Sequence, residues 1–408
     1  MERTLASPPA ALLRHPPFAF LWCSRVLANL GSQVLAVAVG WQLYALTGSA
    51  LDLGLVGLAE FAPIVVLTLV AGQVADRYDR RLIAVACHLA NAVAASALVL
   101  GSIGGWQSKT SILGLMAIVG SSRAFESPTM SALVPEVVPR ARVGPAMAWL
   151  VSGTQTARIV GPAAGGFLSA AGPAAAYAAA GVLFVLAGVS AAGIRRERSA
   201  RARPPVTLET VFSGIAFIRN RPVLLGVMSL DLFAVLLGGA TALLPIYARD
   251  ILGAGAAGLG LLRSAPAVGA LLTSIVLARY PLERRIGRTL FRAVMTFGAA
   301  TVVFGLSTSF VLSLAALAVL GAADVVSVVI RASLVQLRTP DDMRGRVSAV
   351  HSLFTGTSNQ LGAFESGLVA SLVGAVTSVL IGGLGTIAVA ALWMVLFPEL
   401  RRIRAYEE

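Results

Sequence analysis

Of the 408 residues, 57% are apolar, only 12% are charged and 41 are glycine, with a mean hydropathy of +0.83. Charge this sparse cannot clothe a water-soluble surface of two or three domains, where about a quarter of residues are charged. The excess of 32 basic over 19 acidic residues gives +13, yet a nucleic-acid reading fails: all but Lys109 are arginines, clustered between long apolar runs. The composition is that of an integral membrane protein.

In chain order, runs of about 20 apolar residues predict twelve spans. They cover 18–46, 51–71, 82–104, 110–134, 143–169, 173–194, 222–247, 254–277, 289–308, 310–332, 346–371 and 376–397. The first is too long for a signal-peptide core and has no small-residue cleavage site behind it, so it is expected to persist as a helix. Cys23 and Cys87 lie inside apolar runs and read as small membrane residues. His15, His88 and His351 have no ligand spacing, so no metal and no cofactor are expected.

The loops alternate in charge. One set carries Arg3 and Arg14, then Arg77, Arg80 and Arg81, then Arg140 and Arg142. It continues with the arginines from Arg195 to Arg221, Arg279 to Arg288, Arg331 to Arg346, and Arg401 to Arg404. The opposite loops hold only Lys109 and Arg249. The positive-inside rule then places both termini in the cytoplasm, and the basic surplus reads as topology with added attraction for anionic lipid.

The spans divide evenly into residues 1–194 and 222–408, joined by an Arg- and Pro-containing linker, 195–221. The halves echo each other: L-V-P-E-V-V-P-R-A-R-V from Leu133 and L-V-Q-L-R-T-P-D-D-M-R-G-R-V from Leu334 share Leu-Val, Pro and Arg-x-Arg-Val half a chain apart. Two six-helix bundles in the same orientation follow. This all-α arrangement of twelve transmembrane helices resembles the major facilitator superfamily.

The resemblance is carried by particular residues. G-Q-V-A-D-R-Y-D-R-R, from Gly72 to Arg81, is similar to the superfamily's signature loop, with Asp79 where Gly is usual. The resemblance implies a conformational latch. Gly72 would allow close helix approach, and Asp76 would face a helix N-terminus. Arg77, Arg80 and Arg81 would bind carboxylates and lipid phosphate, with Arg344 or Arg346 as neighbours. The runs around Arg331 to Val347, S-N-Q-L-G-A-F-E-S-G, F-P-E-L-R-R and A-F-E-S-P-T-M-S-A-L-V-P-E-V-V-P resemble the subgroup that includes the enterobactin (catecholate siderophore) exporters. G-P-A-A-G-G in span five is similar to the superfamily's antiporter signature. There Pro162 would bend the helix and Gly161, Gly165 and Gly166 would permit tight packing, which ordinary small-residue packing would also explain.

Polar groups inside spans need partners or a wet cavity, since a buried charge costs roughly 2.5–3.5 kcal/mol on insertion scales. Arg25, Asn29, Ser32 and Gln33 form one stripe on span one. Gln155 and Arg158 share a face of span five with Pro162. Thr355, Ser358, Asn359 and Gly362 form another on span eleven, running to Glu365. Together they are candidates for a cargo cavity, in which Arg25 and Arg158 would suit an anionic or polyphenolic cargo. Asp231 has the most apolar surroundings of the acids and is a candidate proton carrier, with a static pair to an arginine such as Arg263 as the alternative. Asp324 shares a face with Ser327 and Arg331, and Arg331 falls near the end of its span. Glu60, close to Pro63, and Glu365 complete the proton-coupling candidates. Arg123 and Glu126 are spaced to neutralise each other.

No Gly-x-x-x-x-Gly-Lys-(Ser/Thr) loop is present, so the sequence predicts a secondary transporter of a bacterial plasma membrane. Its partners are expected to be a small-molecule substrate, protons as coupling ion and membrane lipids, with no nucleic acid, and the superfamily resemblance implies a monomer. Proton-coupled export of a siderophore or related metabolite leads. A broad-specificity drug exporter and a non-transporting sensor of the same fold are the alternatives. No nucleophile–base pair supports a membrane enzyme.

Overall fold

The computed structural model describes residues 12–195 and 208–405; Arg3 and most linker arginines lie outside them. All regular structure among the described residues is helical. The described residues fall into two compact units, bounded at Ala38/Val39, Phe61/Ala62 and Pro205/Val206. Residues 39–61 group with the second unit, so α1 (Pro16–Thr47) and α2 (Ala50–Arg77) each contribute to both.

The first unit is completed by α3 (Arg80–Gly104), α4 (Lys109–Val137), α5 (Val143–Ala170) and α6 (Pro173–Ala192). Phe18, Leu21, Met130, Leu133, Val134 and Leu150 form a core at its basic end. The helix ends are set locally. Asp79, the departure from the signature motif, is the N-cap of α3 and accepts from the Arg81 amide at 2.8 Å. Gly105 ends α3 in the left-handed region, φ 69°, and Ser108 with Ser111 forms a reciprocal cap on α4.

The second unit contains α7 (Leu208–Arg219) within the linker, then α8 (Pro222–Leu237), α9 (Leu244–Ile246), α10 (Gly255–Arg279) and α11 (Ile286–Leu306). It ends with α12 (Phe310–Arg338), α13 (Asp341–Val373), α14 (Ala375–Leu396) and the short α15 (Pro398–Arg402). Span seven, expected as one helix over 222–247, is broken after Leu237. It continues through a 3-10 turn (Ala240–Leu243), α9 and a π turn (Tyr247–Ile251). The cause is backbone crowding. A Cβ at Gly239 would lie 2.4 Å from the Gly362 carbonyl oxygen of α13, and one at Gly382 of α14 would lie 2.3 Å from that of Leu237. Three backbones meet where side chains are absent. The helix pair α10 and α12 approaches still more closely: a Cβ at Gly269 would sit 1.8 Å from the Ala318 carbonyl oxygen.

The twelve expected spans correspond to α1 to α6, the interrupted segment 222–251, and α10 to α14. Nine segments qualify as membrane-crossing on length and apolarity alone among the described residues; α4, α5 and α13 do not. These three carry Arg123 and Glu126, Gln155 and Arg158, and the Thr355–Glu365 stripe. Polar and charged residues within them lower their apolarity. Across both units, hydroxyls donate back to their own helix. Ser32 bonds Ala28, Ser96 bonds Ala92, Thr154 bonds Leu150, Ser264 bonds Gly260, Thr301 bonds Phe297 and Ser358 bonds Phe354, all at 2.7–3.0 Å.

Candidate functional site

A buried charge cluster lies in the second unit. Asp231, midway along α8, is 5% exposed and forms an ion pair with Arg331 of α12, itself 5% exposed. Thr355 of α13 donates its hydroxyl to the second carboxylate oxygen of Asp231 at 3.3 Å. Two turns before Arg331 on α12, Asp324 places a half-exposed carboxylate 3.8 Å from the same guanidinium. One guanidinium therefore spans two acids, one sealed and one open. A cavity of about 20 Å³, lined by Asp324, Ser327, Arg331, Ala234 and Phe297, adjoins them and has room for about one water. The Ser327 hydroxyl is buried there with no hydrogen-bond partner among the described residues.

The suggested Arg263 is not the partner of Asp231; it lies on α10 and interacts electrostatically with Glu60 of α2. Arg331, expected near the end of its span, is instead sealed where α8, α12 and α13 meet. The sequence reading also passed over His351. It lies one helical turn before Thr355 and within electrostatic reach of both Asp231 and Arg331. The signal was available, because i, i+4 spacing extends the α13 polar stripe back to it. Of the other acids, Glu365 is partly buried and accepts from the Ser366 hydroxyl at 3.4 Å. At the other end of the unit, Tyr44 of α1 donates its hydroxyl to Asp250 of the π turn. Arg249 stacks over the Tyr44 ring at 5.8 Å and reaches the Tyr44 carbonyl oxygen at 3.4 Å.

In the first unit, Glu126 of α4 interacts electrostatically with Arg25 of α1 and with Cys87 and His88 of α3. Buried His88 shares a 3.1 Å hydrogen bond with Ser24 of α1, a second histidine contact that spacing did not reveal. Asn29 bonds back to the Arg25 carbonyl oxygen at 2.8 Å. Gln33 is a packing residue: a Cβ at Gly161 of α5 would lie 2.5 Å from its Cβ. At Gly165 the added carbon would meet the Val34 backbone at 3.0 Å, so the glycine-rich run seats α1 against α5. Pro162 and Gly166 are buried on the same helix. Arg158 is exposed, Gln155 half-buried, and Asn359 of α13 is exposed with its amide returned to the Thr355 carbonyl oxygen.

The signature loop is organised by Arg80. Its guanidinium pairs with Glu136 in the last turn of α4 at 2.5 Å and also donates to the Ala75 carbonyl oxygen at 3.0 Å. Glu136 is 4% exposed, so this is an internal clamp of the first unit. Its acid stands in the Pro-Glu of A-F-E-S-P-T-M-S-A-L-V-P-E and was missed as a partner. The close approach expected at Gly72 is not present among the described residues, where a Cβ would meet nothing within 4 Å. Asp76 lies in the last turn of α2, but its side chain is outside the described residues. Arg77, Arg344 and Arg346 are exposed, Arg81 is half-buried, and Arg346 donates to the Ser213 hydroxyl of α7 at 3.3 Å.

Comparison with known proteins agrees with this architecture. The family model described as transmembrane secretion effector matches residues 7–407. An enterobactin exporter of Citrobacter koseri is 26% identical over 399 residues, 96% of this chain and 94% of that protein. The Escherichia coli O139:H28 enterobactin exporter is 25% identical over 397 residues, with the same coverage. Among solved structures, the nucleoside transporter NupG superposes with a TM-score of 0.72 at 14% identity, covering 93% of this chain and 99% of that one. A bacterial homologue of the iron transporter ferroportin gives 0.70 at 19% identity, covering 96% and 100%. With its all-α membrane fold, repeated halves and signature loop, the chain belongs to the transmembrane secretion effector family of the major facilitator superfamily.

Proposed function

We propose that the protein is a proton-coupled exporter of a siderophore or related anionic metabolite in a bacterial plasma membrane, with both termini cytoplasmic. The observation that carries the coupling is the shared guanidinium of Arg331 between sealed Asp231 and half-exposed Asp324. A proton taken up by Asp231 abolishes its charge, and Arg331 is then held by Asp324 alone. Exchange of partner converts a protonation event into displacement between α8 and α12, since an unpaired charge in a span is costly. In this reading the halves 1–194 and 222–408 alternate access around the cargo, and the linker 195–221 tethers them.

The cargo class rests on the relatives named as enterobactin exporters and on arginines in the spans, Arg25 and Arg158, suited to an acidic aromatic ligand. Orientation rests on the charge asymmetry of the loops.

The decisive experiment reconstitutes the protein in proteoliposomes and follows enterobactin transport under an imposed proton gradient. Gradient-dependent accumulation that a protonophore abolishes, and that Arg25→Gln weakens, is the expected result. Transport indifferent to the gradient would remove the coupling. Equal loss of anionic and cationic cargo in Arg25→Gln would remove direct recognition by that residue. Accumulation of cationic drugs but not enterobactin would favour a broad-specificity drug exporter.

A further inference from the structure

A large recess in the second unit lies away from the buried charge cluster. It has a volume of about 930 Å³ and sits where the turn between α10 and α11 meets α15. Its lining includes Arg404 and five further arginines, Arg284, Arg285, Arg288, Arg401 and Arg402, against a single acid, Glu283. None of these five arginines takes part in an ion pair among the described residues. All five are exposed, so water and salt screen their mutual repulsion, and a multivalent anion lodged among them would relieve what remains.

The hollow is held in shape by its walls. The Gly287 amide donates to the Ile403 carbonyl oxygen at 3.1 Å, and a Cβ at Gly287 would sit 1.9 Å from the Leu400 carbonyl oxygen. Leu400 is fully buried beneath α15 and anchors it. Arg285 occupies the left-handed region at φ 57°, the only non-glycine among the described residues to do so. It is the N-cap of the 21-residue α11 and makes no side-chain capping bond, and the first-turn amide of Gly287 is taken by Ile403.

We propose that this recess binds a phosphate-bearing anion carrying at least two negative charges, either an anionic lipid headgroup or a soluble phosphate. Planar guanidiniums meet phosphate oxygens two at a time, and the volume suits a diphosphate or a two-phosphate headgroup better than one phosphate. α10, α11 and α14 all end at this rim, placing it at the boundary of the spanning region. The site is separate from the transport reading and does not depend on the cargo.

The test is native mass spectrometry of the full-length protein, titrated in turn with diphosphatidylglycerol, phosphatidylethanolamine and inorganic pyrophosphate. Two variants are compared: R284Q/R288Q/R401Q/R402Q at the recess, and R14Q/R195Q/R219Q/R221Q, which removes equal charge elsewhere on the basic face. Melting curves confirm that both are folded. Wild type is expected to prefer at least one of the two diphosphate ligands over phosphatidylethanolamine by tenfold or more. The recess variant should lose tenfold, and the remote variant less than twofold. Arginine-dependent binding of the lipid alone identifies a membrane source, and of pyrophosphate a soluble one. Equal losses in the two variants, or no preference over phosphatidylethanolamine, would overturn the proposal.

Discussion

Replacing Asp231 with Asn separates the structural role of the buried pair from its proposed work. The amide keeps an acceptor for the Thr355 hydroxyl but removes the charge facing Arg331. Removing one partner of a buried pair costs about 3–5 kcal/mol when the other is left alone. Arg331 is not left alone, because Asp324 lies 3.8 Å away and is half exposed. At an effective dielectric of about 20 that attraction is worth roughly 4 kcal/mol before desolvation. The net loss for Asp231→Asn should therefore be only about 1–3 kcal/mol, while Asp231→Asn with Asp324→Asn should incur the full penalty. Thermal unfolding of the purified variants reads the difference. In proteoliposomes the single variant mimics a permanently protonated carrier: downhill exchange should survive and gradient-driven accumulation should fall at least tenfold. Accumulation within twofold of wild type would refute the partner-exchange reasoning. Equal stability of the single and double variants would refute the role given to Asp324.

Five further outcomes follow from other contacts. Glu136→Gln removes the carboxylate paired with Arg80, and unfolding should show a loss of about 3 kcal/mol, as for breaking a buried pair. Gly72→Ala should leave the melting temperature unchanged, whereas Gly165→Leu should lower it by overpacking worth about 1–3 kcal/mol, since Val34 backbone stands 3.0 Å from the added carbon. Gly269→Val on α10 should abolish folded protein, measured by size-exclusion yield, because only backbone movement can relieve a 1.8 Å approach. Tyr44→Phe removes the hydroxyl that Asp250 accepts; a charge-assisted bond is worth about 1.5–3 kcal/mol, and hydrogen exchange of residues 240–251 should rise accordingly.

Much of the architecture is legible in the sequence because membrane spans are specified by length and apolarity, both local properties. The elements that escaped are those decided by neighbours far along the chain. Gly238–Gly239 gave a local hint of a break, yet the crowding from Gly362 and Gly382 that enforces it lies more than 120 residues away. The candidate site divides the same way. Asp231 stood out by its apolar surroundings, but its pairing with Arg331 rather than Arg263 depends on how α8 and α12 pack. Gln33 sits in a polar stripe by spacing, while the notch at Gly161 that turns it into packing belongs to another helix. Asp79 runs the other way: a departure from the family motif is explained by capping alone.

The hydroxyls that bond back to their own helices have an electrical consequence. A chain of serines and threonines through a membrane would pass protons if each hydroxyl were free to turn and hand its hydrogen onward. Here Ser32, Ser96, Thr154, Ser264, Thr301 and Ser358 each have that hydrogen committed to a carbonyl four residues back. They insulate rather than conduct. At these six positions a path for protons through the hydroxyls is interrupted.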